Sequence, residues 1–171
     1  MDNDDEFLEE STERGSDELL SDDDLRLPEG ASPLVRLHAV RAWLTRRQQE
    51  ASIEIGAAAL TLQEMLENTQ PEARLRRRER EMLAERLQQT QQHFQTAQQR
   101  LNAYEEAAAL LEEYVTHTTP GPRLLVEYYL ALENIIQASL QEDPDDQSPR
   151  LQVLFDVLHR VEHVSVSYED D

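Results

Sequence analysis

The chain has 171 residues, of which 39% are hydrophobic and 30% charged, and its formal net charge is −20. This charge argues against general binding to nucleic acid or to anionic membranes. The absence of cysteine excludes disulfides, thiolate metal sites and cysteine catalysis. No apolar run approaches the ~18 residues of a membrane span, and the acidic N-terminus is unlike a secretory signal or a mitochondrial transit peptide. We therefore expect a cytoplasmic or nuclear chain.

Residues 1–32 are predicted to form a disordered acidic tail. The segment holds thirteen acidic residues against two arginines. So much like charge, with so few apolar side chains, cannot bury enough surface to offset the entropy of ordering. Two short apolar clusters leave a second interpretation open, in which the tail folds onto a basic groove of a partner.

The first predicted helix begins at Ser32-Pro33, with serine as the N-cap and proline at the first helical position. Apolar residues three and four apart carry this helix to about Glu67. A short turn over residues 68–72 contains Pro71. Because so short a loop reverses the chain, the first and second helices are expected to form an antiparallel hairpin over residues 33–117.

The second predicted helix, from about Ala73 to Thr116, is the longest element and carries one continuous heptad stripe. We call this stripe the seam; it consists of Leu83, Leu87, Thr90, Phe94, Ala97, Leu101, Tyr104, Ala108, Leu111 and Val115. A narrow apolar stripe on a rod of ~65 Å must be covered by another helix. That helix can come from this chain or from a partner. The predicted partner-binding residues are Leu83, Leu87, Phe94, Leu101, Tyr104, Leu111 and Val115.

Five arginines crowd the start of this second helix. This arginine cluster consists of Arg74, Arg76, Arg77, Arg78 and Arg80. The helix dipole disfavours cations at this end, so acidic neighbours are expected. They can be glutamates at i,i+4 on the same helix, the acidic tail of this chain, or another protein in an electrostatic contact. No aromatic residue interleaves with the cluster, which argues against stacking of single-stranded nucleic acid.

Two shorter helices are predicted after Pro120 and Pro122 end the second helix, and together they span residues 121–163. The third helix runs over residues 123–141 and has a broad apolar face, which predicts burial in a small bundle or in a subunit interface. The candidate interface residues are Tyr128, Tyr129, Leu132 and Ile136.

The fourth helix is predicted to begin at Ser148-Pro149 and to end near Glu162. Residues 164–171 alternate like a strand, but a lone strand of this length is not stable, so we assign them to an acidic tail. The predicted fold class is therefore all-α: a long antiparallel helical hairpin or coiled coil, two shorter C-terminal helices and a disordered N-terminal tail.

Motifs of catalysis are missing from the sequence. There is no glycine-rich phosphate loop and no nucleophile elbow. His159 and His163 have a spacing that can bind a metal, but Arg160 stands where a zinc protease has glutamate, and no third ligand is evident. We therefore predict a protein that is not an enzyme and has no catalytic residue, cofactor or metal.

One resemblance is carried by residues 69–102, by Leu101-Asn102-Ala103-Tyr104-Glu105 and by Leu111-Glu112-Glu113-Tyr114. These runs resemble the C-terminal helical half of the fourth subunit of augmin, the complex that recruits γ-tubulin to spindle microtubules. The resemblance implies a non-catalytic subunit of an obligate assembly at the cytoskeleton or spindle. This chain departs from that family in its shorter length and its acidic tail.

Three functional hypotheses follow from these patterns. The first is a non-enzymatic coiled-coil subunit of a multiprotein assembly, cytoskeletal or mitotic, whose partners are other helical subunits. The second is a regulatory adaptor whose acidic tail docks a basic partner. The third is a subunit of a vesicle-tethering or trafficking complex. None of them involves direct contact with nucleic acid or a membrane span.

Overall fold

The computed structural model describes Leu27 and residues 30–68 and 75–165. The described residues form the helices α1 (Pro33–Glu67), α2 (Arg77–His117), α3 (Pro122–Glu142) and α4 (Pro149–Ser165). The prediction of an all-α fold is therefore confirmed for the described residues. Most of the predicted acidic tail lies outside the described residues, as do most of the turn at 68–72, Arg74 and the last six residues.

Local capping explains where these helices begin. The Oγ atom of Ser32 accepts a hydrogen bond from the backbone N–H of Val35 at 3.3 Å, and Oγ of Ser148 accepts one from Leu151 at 3.2 Å. Both serines precede a proline at the first helical position, as the sequence predicts. The second helix begins four residues later than predicted, at Arg77, where the carboxylate of Glu79 accepts from the backbone N–H of Arg76 at 2.8 Å.

The fourth helix is longer than the sequence predicts, because it continues to Ser165 rather than ending near Glu162. Val164, which the strand-like pattern assigned to the tail, lies within this helix and is buried. Burial of its side chain against the other helices stabilises the last turn, and local propensity does not anticipate this contact.

Polar contacts between α1 and α2 show that the two helices run antiparallel. Arg41 of α1 pairs with Glu112 of α2, and Glu54 pairs with Arg100 at 3.3 Å. Farther along α1, the hydroxyl of Thr90 lies 3.7 Å from the sulfur of Met65. Residue numbers therefore rise along α1 while those of their partners fall along α2.

The shorter helices α3 and α4 pack onto one end of this pair. Arg150, at the start of α4, contacts Glu106, whereas Val164, near its end, accepts a hydrogen bond from Arg36. Because α1 and α2 are antiparallel, Arg36 lies near the C-terminal end of α2. The α4 helix therefore runs parallel to α2. The hydroxyl of Tyr128 in α3 donates to the carbonyl of Ala107 at 2.8 Å. The four helices enclose one core, which we call the bundle core.

The buried side chains of the bundle core come from all four helices, and on α1 and α2 they lie within 37–44 and 103–111. They are Leu37, Val40, Trp43, Leu44, Ala103, Tyr104, Ala107, Leu111, Leu124, Leu125, Tyr128, Leu132, Ile136, Leu151, Val153, Leu154, Val157, Val161 and Val164.

Beyond the bundle core, α1 and α2 continue as a pair. We call residues 51–67 of α1 and 77–101 of α2 the extension; its α1 part is about 25 Å long at 1.5 Å per residue. The bundle core contains no residue of the extension. The fully buried side chains of this stretch, among the described residues, are Ala51, Ala58 and Ala97. Such small side chains let two helices approach closely but contribute little burial of their own.

Candidate partner-binding surface

The seam of α2 divides into two parts with different surroundings. In the part next to α3 and α4, Tyr104 and Leu111 are buried, and Ala108 and Val115 pack against the bundle core. Other helices of the same chain therefore pack against this part of the seam.

Trp43 and Tyr104 meet at the centre of the buried part. Their ring centroids lie 6.1 Å apart with an interplanar angle of 78°, which is an edge-to-face contact. The guanidinium of Arg47 lies 5.4 Å from the Trp43 centroid, at cation–π distance. Burial raises the pKa of the Tyr104 hydroxyl. Tyr104 therefore stabilises the chain's own core, although its heptad position predicted a partner contact.

In the extension, the seam is covered by fewer helices. Leu83, Leu87, Phe94 and Leu101 are only partly buried. A helix in a bundle has neighbours on both sides of its apolar stripe, whereas a helix in a pair has one neighbour and leaves the flanks of each side chain in water. These four seam residues therefore retain apolar surface that an additional helix can cover.

Large apolar side chains also project from the extension away from the seam. Ile53 is 72% exposed, Leu60 62%, Leu66 64% and Met82 63%. Ile53, Leu60 and Met82 lie outside the main apolar stripe that the sequence predicts for each helix. The available signal was the spacing of Ile53 and Leu60, which are seven residues apart and therefore share one helix face.

The candidate interface residues of α3 face inward. Tyr128, Leu132 and Ile136 are buried in the bundle core, and Tyr129 is partly buried against it. Burial raises the pKa of the Tyr128 hydroxyl, which donates to the backbone of Ala107. Of the two alternatives left by the sequence, a small bundle or a subunit interface, the fold places these three side chains in the bundle, where a partner cannot reach them.

The arginine cluster lies on the solvent-exposed start of α2. Arg76, Arg77, Arg78 and Arg80 are exposed, and Arg74 lies outside the described residues. Nε of Arg77 is 3.0 Å from a carboxylate oxygen of Glu81, four residues on. Local pairing within the helix therefore accounts for Arg77, in line with the i,i+4 interpretation.

Two bidentate ion pairs connect helices of the bundle. Nε of Arg41 donates to Glu112 at 2.6 Å, and its second nitrogen contacts the other carboxylate oxygen. Arg150 donates to both oxygens of Glu106, at 2.9 and 2.7 Å. The hydrogen bonds from Arg41 lower the pKa of Glu112, and those to Glu106 raise the pKa of Arg150. Each pair joins α2 to another helix.

A shallow groove lies between α2 and α3. Its volume is about 550 Å³, and it is lined by Tyr114, Glu127, Leu130, Ala131, Asn134 and Ile135. Glu127 supplies the single carboxylate of this lining, so the groove lacks the paired carboxylates or the nucleophile–base pair that hydrolytic chemistry needs.

The described part of the chain has neither a metal-ligating cluster nor a membrane-spanning helix. Over residues 30–68 and 75–165, no three histidine, aspartate or glutamate side chains are grouped closely enough to hold a metal ion. His159 instead lies 3.9 Å from Glu162 on its own helix. None of the helices in the described part of the chain combines the length and the apolar content needed to cross a membrane.

Comparison with models of protein families, with curated proteins and with solved structures gave no match.

Proposed function

We propose that this chain is a non-enzymatic helical subunit of a multiprotein assembly, and that the extension is where a helix of another subunit binds. The observation that carries the proposal is the partial exposure of Leu83, Leu87, Phe94 and Leu101. Where α3 and α4 are present, Tyr104 and Leu111 of the same heptad stripe are buried in the bundle core. A partner helix laid along the extension would cover the seam there as α4 covers it in the bundle.

Burial energetics support this mode of association. Fully burying a leucine or phenylalanine side chain contributes roughly 1.5–3 kcal/mol relative to leaving it in water, and the seam residues of the extension have gained only part of that. Four such side chains on one stripe form an apolar surface to which a helix with the same heptad period can bind. We propose a coiled-coil packing for this contact, with the extension contributing two of the helices.

The identity of the assembly is a further part of the proposal. The resemblance of α2 to the fourth subunit of augmin makes a role in nucleating spindle microtubules the most specific candidate. A regulatory adaptor is the second candidate, and it is favoured by the thirteen acidic residues in 1–32. Deleting residues 1–26, which leaves the capping Ser32 and the Ala31 carbonyl in place, separates the two, since only the adaptor loses its partner when the extension is intact. A vesicle-tethering subunit would instead co-purify with organelle components.

The test is a double substitution on the seam of the extension. Phe94→Ala with Leu101→Ala should release the other subunits from the tagged full-length chain. Mass spectrometry of the complex after size-exclusion chromatography quantifies this release. The bundle should remain folded, which the fluorescence of Trp43 reports because this side chain lies in the bundle core. Gln91→Ala, an exposed change on the same helix, is the matched control and should retain all partners. Retention of the complex by the double variant would reject the proposed binding site.

A further inference from the structure

The outer face of α1 in the extension has an unusual composition. Ile53 and Leu60 project from it, 72% and 62% exposed, and between them lie Gly56 and Ala57. A Cβ atom built on Gly56 would have no neighbouring atom within 4 Å. Nothing within the described chain therefore requires glycine here, although glycine is the poorest helix former after proline. A second helix approaching closely at this point would require it.

This face is turned away from α2. Ala51 and Ala58 of α1 are buried, and Glu54, which lies between them, contacts Arg100 of α2. Ile53 follows Ala51 by two residues, a rotation of about 200° around the helix axis at 3.6 residues per turn. A helix bound over Ile53 and Leu60 would therefore lie opposite α2 and would leave the seam free.

We infer that this face binds a second copy of the chain, with the two α1 helices antiparallel and a twofold axis passing between Gly56 and Ala57. In that register Ile53 lies opposite Leu60 of the other copy, and the two small residues face each other at the axis. Each contact occurs twice, as in any interface built on a twofold axis. The inference goes beyond the proposed function, since it concerns α1 and a second copy rather than the seam and another subunit.

The polar residues flanking the apolar pair agree with this register. Arg46 lies opposite Glu67 of the second copy, and Gln49 lies opposite Glu64. Opposite charges and hydrogen-bonding groups therefore meet at both ends of the contact. A parallel pairing would instead bring Glu64 and Glu67 beside their own counterparts, where like charges repel. The charge order along α1 is therefore complementary to itself only in the antiparallel direction.

The expected contact is small. A pair of helices touching over about six turns, from residue 46 to residue 67, falls in the class of interfaces below ~1,200 Å², which are weak on their own. We therefore expect a reversible dimer whose population rises with protein concentration, and the measurement must span a wide concentration range.

The absence of cysteine from the sequence allows a direct test of register. Full-length chains carrying Ile53→Cys and others carrying Leu60→Cys, distinguished by tag mass, are oxidised mildly, alone and mixed. The antiparallel register predicts rapid disulfide formation between the two variants only in the mixture. In each unmixed sample the two cysteines occupy the same position in the two copies, so they are separated by seven residues, or ~10 Å, along the helix axis. This separation is too large for a disulfide. Leu130→Cys, on an exposed part of α3, sets the collisional rate. Rapid crosslinking of either variant alone, or none above the collisional rate, overturns the inference.

A second measurement uses Gly56→Ala. Alanine is the better helix former, so the melting temperature of the monomer should rise. The added methyl group lies at the proposed contact, so the dimer dissociation constant, from sedimentation equilibrium, should increase at least tenfold. Ile53→Gln with Leu60→Gln should likewise abolish the dimer and leave the melting temperature of the monomer unchanged. An unaltered dissociation constant in these variants, or a wild-type chain that stays monomeric at every concentration, contradicts the inference.

These variants also separate this inference from the proposed function. If the Ile53 and Leu60 double variant loses the dimer but retains the other subunits, only the outer face of α1 is affected. If the Phe94 and Leu101 double variant loses the other subunits, the seam is affected.

Discussion

The guanidinium of Arg36, in the first turn of α1, donates a hydrogen bond to the backbone carbonyl of Val164, in the last turn of α4. Its Nε atom donates to the carbonyl of Ala31 at 3.0 Å, and the side chain is buried. Carbonyls in the last turn of a helix lack partners within the helix and carry partial negative charge. Arg36 therefore compensates the C-terminal end of α4 while joining it to the start of α1.

Replacing Arg36 by methionine should lower stability by about 1.5–3 kcal/mol, since hydrogen bonds from a charged donor to buried carbonyls are lost. Urea denaturation followed by Trp43 fluorescence measures the change. Arg36→Lys should recover only part of the loss, because an ammonium group lacks the planar fork that reaches two carbonyls in different directions. Arg123→Met, at an exposed position in α3, is the control, and an equal loss there would refute the role of Arg36.

Tyr128 should make the fold sensitive to alkaline pH. Burial raises the pKa of its hydroxyl above the ordinary 10.0. The unfolded chain then releases this proton more easily than the folded chain. The free energy of unfolding is therefore unaffected by this group below about pH 10 and declines as pH rises further. Tyr128→Phe should cost about 0.5–1.5 kcal/mol at neutral pH, for the lost hydrogen bond to Ala107, and should show a smaller decline at high pH.

The measurement for Tyr128 is the free energy of unfolding of both proteins at about pH 8 and about pH 11. Tyr114→Phe, an alteration of a partly buried tyrosine, is the comparison for nonspecific alkaline effects. If wild type and Tyr128→Phe lost stability in parallel, the hydroxyl of Tyr128 would not be the group responsible.

The ion pair between Arg41 and Glu112 should contribute stability that acid removes. Hydrogen bonds from Arg41 lower the pKa of Glu112 from 4.5, so the contribution is present above about pH 4.5 and is lost as pH falls below it. Both side chains are partly solvent-exposed, so the pair should be worth roughly 0.2–1 kcal/mol and should weaken with salt.

A double-mutant cycle with Arg41→Met and Glu112→Gln measures this coupling at neutral and acid pH. Glu113→Gln, the adjacent exposed carboxylate, is the control and should leave the acid transition unchanged. A coupling energy that persists at about pH 2 would show that the carboxylate charge of Glu112 is not involved.

The two parts of the seam should differ in their energetic cost on truncation. Leu111→Ala, inside the bundle core, should destabilise the chain by about 2–5 kcal/mol. Leu87→Ala, at a partly buried position of the extension, should cost less, because part of its side chain is already in water. Thermal unfolding of the isolated chain compares the two variants. Equal losses would contradict the division of the seam into a covered and a partly exposed part.

Several features follow from the sequence because they depend on short-range chemistry. The serine–proline pairs at 32–33 and 148–149 predict two helix starts, and in each case the serine hydroxyl caps its own first turn. The seven-residue period of the seam predicts which face of α2 avoids water, and none of its members is fully exposed. The all-helical class follows from these periods together.

The tertiary structure decided which helix covers each apolar face. A stripe gains the same free energy per unit area whichever helix covers it, so its period cannot distinguish a fold from an interface. Tyr128 and Leu132 are therefore core residues only because α3 folds back onto α2 and α4, and Phe94 stays partly exposed because those helices end before reaching it. Arg36 is buried, although arginine favours water, because the fold places it beside the carbonyl of Val164 at the end of α4, 128 residues away along the chain.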